Sequence, residues 1–364
     1  MNSNRNNTYF VCATQTSNLG DLIINKMLID EMCNYGHVYV DAYNVPEDFK
    51  LPLFENPNVI DVNQTGFTVK RLSFSNLKSF LKLVKKEGIG ILMRSPGPLC
   101  ELPIKARYGF SLINLLFRYM GRGRVVYCGN CCSEGLMLSR KLERTYMNQL
   151  YMRSNESLQY AKKYFGNKVS YIPDLAYLMK FEGDQIQKNR VVAVDFRVSE
   201  TDRDRVINDI RDIVLQFISY GYKIVIYYQV KGDQKFATEL YDKIKNDSVE
   251  FRQSLLWYND LIFYADKAFV LSNRLHSLLF GAVYGAVPIA RITHEAKLSK
   301  INHVFRSSLS NEFFEKIYVD EPLLVKSLLD GYDSLFSTLH NDVERNAALI
   351  KATIKEYIEI GQYQ

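Results

Sequence analysis

Alternation is what most restricts this chain. An apolar run, a turn containing glycine, a helical stretch and a second apolar run follow one another, and the cycle recurs over most of the 364 residues. It begins with a strand from Thr8 to Thr14, the polar turn QTSNLGD, a helix from Leu22 to Tyr35 and the strand HVYVDAY. Leu22, Ile23, Met27, Leu28 and Met32 place an apolar face on that helix. Strand, glycine-bearing turn, helix and strand in this order predict a doubly wound α/β fold with a parallel sheet.

The cycle continues. GIGILMRSPGP reads as a strand entering a Pro/Gly loop, Ile104 to Met120 as a helix, RVVYCGN as a strand and Leu136 to Leu150 as a helix. YMRSNESLQYAKKYF reads as a strand end and a helix, and KVSYIPDLAYL as a closing strand. The charged, apolar-poor stretch KFEGDQIQKNR, residues 180 to 190, is the linker candidate. Beyond it the cycle restarts with RVVAVDFR. There follow a helix (Asp202 to Tyr220), the strand YKIVIYYQ, a helix (Lys235 to Lys245) and a short strand near Val249. A helix around Tyr258 to Tyr264, the strand KAFVLS, a buried helix and the strand IARIT come next. A long amphipathic helix spans Asp342 to Ile360.

The expected organisation is two domains, 1–180 and 186–340, with a cleft between them. A C-terminal helix, 341–364, is placed to pack back on the first domain. In open α/β sheets ligands bind where strands end and the strand order reverses. Functional residues therefore belong in the turns that lead from a strand into a helix.

Composition supports a globular protein of this size. The length suits two medium domains, and 47% of residues are hydrophobic. The net charge of +6 fits an enzyme handling anionic small molecules or working near an anionic membrane face. It falls short of the dense basic stripe of a nucleic-acid binder. The six cysteines show no paired metal-ligand spacing, and Cys131 and Cys132 are adjacent, so reduced thiols in a cytosolic protein are expected. The N-terminal stretch lacks the apolar core of a signal peptide. No apolar run reaches the roughly 18 residues that span a bilayer. The expected location is cytoplasmic, with peripheral contact at the inner face of the membrane as an extension.

Five turns hold candidate residues. In Ser17-Asn18-Leu19-Gly20-Asp21, Gly20 permits a close backbone approach, and Asn18 and Asp21 are suited to cap the next helix. Asp21 is equally placed to act as a base on a sugar hydroxyl. Arg94-Ser95-Pro96-Gly97-Pro98 is a rigid loop, either a plain turn or a substrate loop with Arg94 and Gly97 toward an acceptor. Arg153 and Arg197 each follow an apolar strand, where a charge is costly unless it is paired or faces a cleft. The last turn, SNRLHS, sets Arg274 and His276 at a strand end or in the first turn of the helix that follows. Two cations beside the positive end of a helix dipole invite an anion. A capped core histidine is the plainer reading. Lys297, after the strand PIARIT, either points into the same cleft or is an ordinary solvated lysine.

These residues together resemble a known family. SNLGD, MRSNES, PDLAYL, a strand ending in Phe196-Arg197, and Arg274-Leu275-His276-Ser277 with the trailing Gly285, Pro288 and Lys297 are similar, in order over nearly the whole chain, to the polysaccharide pyruvyl transferases. The resemblance implies a GT-B-like fold, with two Rossmann-type domains facing a central cleft. It implies transfer of pyruvate from phosphoenolpyruvate to two hydroxyls of a sugar, forming a ketal on a capsular or other cell-surface polysaccharide precursor. Under it, Arg197, Arg274, His276, Ser277 and Lys297 bind phosphoenolpyruvate. Asn18, Gly20, Asp21, Arg94 and Gly97 face the sugar or lipid-linked acceptor, and His276, Arg274 and Asp21 are the catalytic set. No cofactor is required, and no carboxylate cluster demands a metal.

Two other readings stand beside it. One is a GT-B glycosyltransferase that uses a nucleotide sugar in glycan biosynthesis, because Arg and Lys clamps on a diphosphate look alike in sequence. The other is a non-catalytic subunit of a glycan assembly machine. Separately, KARYGFSLINLLFRYMGRGR (105 to 124) combines a long apolar stretch with basic flanks. With Phe and Leu facing outward it would rest on an anionic bilayer; otherwise it is a core-packed helix with solvated Arg ends.

Overall fold

In the computed structural model of the protein, residues 6–66, 72–99, 104–133, 141–180, 188–198, 203–291, 295–319 and 325–360 are described. The chain divides into two compact units. One comprises Met1–Thr16, Asp21–Leu175 and Ala348–Gln364, the other Ser17–Gly20 and Ala176–Ala347.

The first unit contains strands β1 (Asn7–Val11), β2 (Val38–Asp41), β3 (Val59–Asp61), β4 (Ile89–Arg94), β5 (Gly97–Pro98), β6 (Arg124–Cys131), β7 (Met147–Met152) and β8 (Val169–Tyr171). Its helices are α1 (Leu19–Cys33, of which Leu19 and Gly20 belong to the second unit), α2 (Glu47–Leu53), α3 (Leu77–Lys86), α4 (Ile104–Tyr119) and α5 (Asn155–Phe165). The sheet runs β3-β2-β1-β4-β6-β7-β8, with β5 paired to β6, and its pairings are parallel. Because parallel strands are covered on both faces, they read as continuous apolar runs. The inner strands are buried nearly throughout, as in Ile89–Met93. Tyr9 of β1 meets Phe80 of α3 edge-on at 4.9 Å between centroids, and Phe80 meets Phe117 of α4 at 5.8 Å.

The second unit contains β9 (Val191–Asp195), α6 (Arg203–Ser219), β10 (Lys223–Ile226), α7 (Gln234–Ile244), β11 (Val249–Phe251), β12 (Phe269–Ser272), α8 (Leu275–Val283) and β13 (Val287–Arg291). It continues with α9 (Glu295–Ser308), α10 (Asn311–Ile317), β14 (Tyr318–Val319), α11 (Val325–Asp330) and α12 (Tyr332–Ile360), whose residues from Ala348 onward belong to the first unit. The sheet order is β11-β10-β9-β12-β13-β14, again parallel. In the unit's own order this is 3-2-1-4-5-6, the Rossmann arrangement, and it reverses between β9 and β12. Loops at the carboxyl ends of those two strands therefore border the crevice in which this fold binds ligands.

Helix α8 is apolar on all sides, and its residues from Leu275 to Ala282 are buried. It lies close to the sheet. A Cβ built on Gly281 would stand 2.5 Å from Cγ2 of Val270 in β12. The helix ends at Gly285, which has φ of 79°, a left-handed conformation that favours glycine. There the Gly285 N–H donates to Ala282 O at 3.0 Å and the Ala286 N–H to Gly281 O at 2.8 Å.

Several elements differ from the sequence reading. Met147 to Leu150, expected as helix, is the start of strand β7 between β6 and β8. Two apolar residues flanking Asn148 and Gln149 set no period, and strand pairing decides it. Residues 136–140 of that expected helix, and 181–187 of the proposed linker, lie outside the described residues. Tyr258–Tyr264 is 3-10 rather than α-helical. The C-terminal helix starts at Tyr332 rather than Asp342, because buried Leu335 and Leu339 extend the stripe of Ile350, Ile354 and Ile358. Among the described residues, no helix is long and apolar enough to cross a membrane.

Candidate functional site

The reversal point of the second sheet is held together by side-chain hydrogen bonds between the β9 and β12 loops. Asn273, just after β12, accepts the Arg197 N–H at 2.8 Å and donates to the Arg197 carbonyl at 2.8 Å. Ser272 Oγ donates to the Asp195 carbonyl at 2.5 Å and accepts the Arg274 N–H at 2.9 Å. The loop bearing the exposed Arg197 is thus fixed against the start of α8. Of these bonds the one from Ser272 to the Asp195 carbonyl is buried, and burial makes it the costliest to lose.

Asp195 ends β9 and is buried. Ser277 Oγ, in the first turn of α8, donates to its Oδ2 at 2.5 Å. Burial pushes the Asp195 carboxyl up to about 7; Arg274 pulls it down, Asp233 pushes it up and the Ser277 bond lowers it. Behind it, the Tyr227 and Tyr264 hydroxyls share a hydrogen bond of 3.0 Å, and Tyr264 donates to Gln229 Oε1 at 3.4 Å. Burial drives both phenols well above their ordinary range. These groups brace Asp195 and α8 from beneath.

Arg274 is the residue before α8. It is an arginine, with no acceptor to offer, so the helix begins without a side-chain cap, and its first turn holds no acidic residue. The guanidinium pairs with Asp233, the residue before α7. His276 is buried, with its ring stacked on Phe280 at 5.9 Å and 16° between planes. Gly20 belongs to the same unit as His276, and a methyl group built on it would overlap the imidazole. The structure therefore brings Arg197, Arg274, His276 and Ser277 to the adjacent carboxyl ends of β9 and β12. Ser277 uses its hydroxyl on Asp195, and Arg274 uses its charge on Asp233. Lys297 lies in α9, but its side chain falls outside the described residues.

The turn before α1 is capped as its sequence suggests: Asn18 Oδ1 accepts the Gly20 N–H at 3.0 Å. In the first unit, Asp21 is buried in the first turn of α1, and its carbonyl accepts from Asn25 Nδ2 at 2.6 Å. Gly97 is near it; a Cβ there would stand 3.9 Å from Asp21 Oδ1. Ser95 joins the β1 and β4 ends. Its N–H donates to Val11 O at 3.1 Å, and its Oγ accepts the Ala13 N–H at 2.9 Å. Arg94 is used in packing: its guanidinium lies 4.0 Å over the Phe110 ring and 6.0 Å from that of Tyr127. Arg153 is fully buried and structural. It donates to Asp174 Oδ2 at 2.8 Å and to Cys131 Sγ at 3.3 Å. Burial works against its charge, but Cys131 and Asp174 hold the proton more strongly.

Asp195, Asp233 and Asn273 are absent from the sequence-derived site. Asp195 carried a readable signal, a carboxylate closing an apolar strand in VAVDFR. Asn273 sits inside SNRLHS, yet its role depends on a loop 76 residues away. Among the described residues, no three His, Cys, Asp or Glu side chains gather into a group that could hold a metal ion.

No family model matches the chain. No curated protein matches it either. Solved structures do. One from Listeria monocytogenes, described as a UDP-N-acetylglucosamine 2-epimerase, is 9% identical, covers 96% of this chain and 97% of its own, and has a TM-score of 0.58. UDP-GlcNAc 2-epimerase from Neisseria meningitidis, bound to UDP-GlcNAc, is 10% identical over 96% of this chain and 100% of its own, with a TM-score of 0.54. Phytolacca americana UGT2, complexed with UDP-2-fluoro-glucose and pterostilbene, is 11% identical over 98% and 100%, with a TM-score of 0.55. At these identities the likeness is one of fold. The chain has the GT-B-type α/β architecture of two Rossmann-like units with parallel sheets.

The resemblance to polysaccharide pyruvyl transferases is overturned by these findings. The similar structures include UDP-GlcNAc 2-epimerases and glycosyltransferases, and no family model supports a pyruvyl transferase. The motifs behind it have structural explanations: Asn18 caps α1, Ser277 supports Asp195, and Gly285 closes α8. Phosphoenolpyruvate falls away as the donor along with the resemblance.

Proposed function

We propose that the chain is an enzyme of glycan biosynthesis that binds a uridine diphosphate sugar at the strand ends of the second sheet and transfers the sugar to an acceptor hydroxyl. The observation that carries this is the uncapped start of α8 at the β9/β12 reversal, with Arg274 before it and Arg197 tied beside it. Helix N–H groups and an arginine fork suit a diphosphate. Structures of similar fold that hold UDP-GlcNAc or UDP-2-fluoro-glucose support the choice of nucleotide.

In this reading the Arg274 guanidinium exchanges Asp233 for a phosphate oxygen. Asp195, raised to about 7, is partly protonated near neutral pH and so repels the diphosphate less than an ordinary carboxylate. In the transfer step the bond from sugar C1 to the diphosphate oxygen breaks, and the electron pair leaves with UDP. The acceptor oxygen bonds to C1 and gives its proton to solvent water, so that UDP and one proton are released together. Positive charge at the start of α8 stabilises the leaving diphosphate as its charge grows. No resident cofactor enters the scheme.

Calorimetric titration with UDP, GDP and CMP, followed by a UDP-release assay with UDP-sugars and glycan acceptors, tests it. UDP binding and acceptor-dependent UDP release are expected. Inversion at C2 of UDP-GlcNAc without a transfer product would replace transfer by epimerisation. Failure of every nucleotide to bind would overturn the reading.

A further inference from the structure

The outer side of α4 is apolar where a surface helix is ordinarily polar. Tyr108, Leu112 and Tyr119 stand at i, i+4 and i+11, sharing a face with half-buried Leu115 at i+7. They are 62%, 41% and 68% exposed, and Met120 beside them is 69% exposed. The opposite face of the helix is the packed one, with Ile113 and Phe117 in the core of the first unit. The helix therefore has two apolar faces and buries one of them. Phe110 and Phe117 turn inward, so the outward stripe consists of tyrosines, leucines and a methionine.

The C-terminal end of this stripe is basic. Arg118 lies in the last turn of α4, and Arg122 follows it on the surface. Arg144 and Lys168 come from segments packed alongside. Lys168 Nζ donates to Arg144 O at 2.8 Å, and the Tyr119 hydroxyl reaches Thr145 O at 3.5 Å. None of these four cations forms an ion pair with a described carboxylate. Burial, and then repulsion from Arg118 and Arg144, lower the Lys168 ammonium below its ordinary range. Among the described residues, these cations lack an ion-paired carboxylate.

We propose that this face of the first unit docks on an anionic phospholipid bilayer. Tyr108, Leu112, Tyr119 and Met120 enter the headgroup boundary, and Arg118, Arg122, Arg144 and Lys168 meet lipid phosphates. The charge pattern selects this occupant. A second copy seated face to face would set one basic rim against another. A bilayer with anionic lipids supplies the missing charge and a hydrocarbon edge together, and tyrosine side chains suit that boundary. The inference does not depend on the nucleotide-sugar reading.

Co-sedimentation of the full chain with vesicles of phosphatidylcholine alone, or with about one third phosphatidylglycerol, tests it. The expected result is binding to the anionic vesicles that falls as NaCl rises, with much weaker binding to the neutral ones. Each basic residue removed should weaken binding roughly fivefold. The double variant Arg122→Ala/Arg144→Ala should therefore lose about 25-fold. Tyr119→Ser/Met120→Ser, at exposed positions where folding is little disturbed, should lose at least about fivefold at every salt concentration. Unchanged thermal unfolding of both variants shows that the loss is local. Absence of binding to anionic vesicles at low salt overturns the proposal, as does equal binding by wild type and variants. A dimer abolished by Tyr119→Ser/Met120→Ser also overturns it, in favour of a second copy.

Discussion

Ser277 Oγ donates to the Asp195 carboxylate at 2.5 Å, so the first turn of α8 is tied to the end of β9. This bond joins the helix start to the strand that defines the reversal point. It also fixes a carboxyl group whose proton is held to about 7.

That proton has a consequence for stability. The Asp195 carboxyl titrates near 7 in the folded chain, against 3.8 ordinarily, so folding takes up a proton between those values. Its contribution is full below about pH 4, declines as pH rises, and levels off above about 7. Asp195→Asn, which does not titrate, should abolish that slope. The expected difference between wild type and variant, from denaturant unfolding at pH 5 and pH 8, is on the order of a few kcal/mol. Equal slopes in the two proteins would remove Asp195 as the source.

Arg274 and Asp233 form an ion pair that, under the proposed function, a nucleotide would open. Arg274→Ala should weaken UDP binding by about 10- to 100-fold, the worth of a charge-assisted hydrogen bond. Arg274→Lys keeps the charge without the fork and should recover part of the loss. Calorimetric titration reads both, and undiminished affinity in Arg274→Ala would move the site elsewhere.

Gly281 is a test of packing. A Cβ there would stand 2.5 Å from Val270 Cγ2, on a stiff β-branched side chain in an inner strand. Gly281→Ala should cost about 1–3 kcal/mol through overpacking. Gly232→Ala, with nothing within 4 Å of its new methyl group, should stay within about 0.5 kcal/mol of wild type. Thermal unfolding of the two variants side by side checks the contrast.

Asp174 and Arg153 are a pair with no solvent to fall back on; their side chains are 0% and 1% exposed. Asp174→Asn should destabilise the first unit by about 3–5 kcal/mol, because it strands a buried charge. The double variant Arg153→Met/Asp174→Leu removes both charges and should recover much of that loss. Recovery is read in the denaturant midpoint, and a double variant as unstable as the single one would contradict this account.

The fold was legible because its signal is local and repeated. Apolar runs such as Val191–Val194 and Phe269–Leu271 announce buried parallel strands, and glycine-bearing turns separate them from helices. Met147-Asn148-Gln149-Leu150 carries no period of its own, two apolar residues flanking two amides; β6 and β8 make it a strand. Arg274 and His276 were visible as cations beside an apolar helix. Their partners were not, since Asp233 lies at the start of another helix and Asp195 closes another strand. The family reading failed for the same reason. In this chain RLHS sits where a strand turns into a buried helix, and its serine serves that geometry by holding Asp195.

Arg197 and Asn273 exchange two hydrogen bonds across 76 residues of sequence. No local segment can make that clasp, for β10, α7 and β11 all lie between its halves. During synthesis, a chain that stops short of residue 273 carries the arginine and the carboxylate but no place for a ligand. The site comes into being with one of the most distant strand pairings of its unit, β9 on β12, and contacts of that kind form late. Ligand capture by a growing chain would therefore report on completion of the second sheet, and a nucleotide present during folding would favour only the chains that had already closed it.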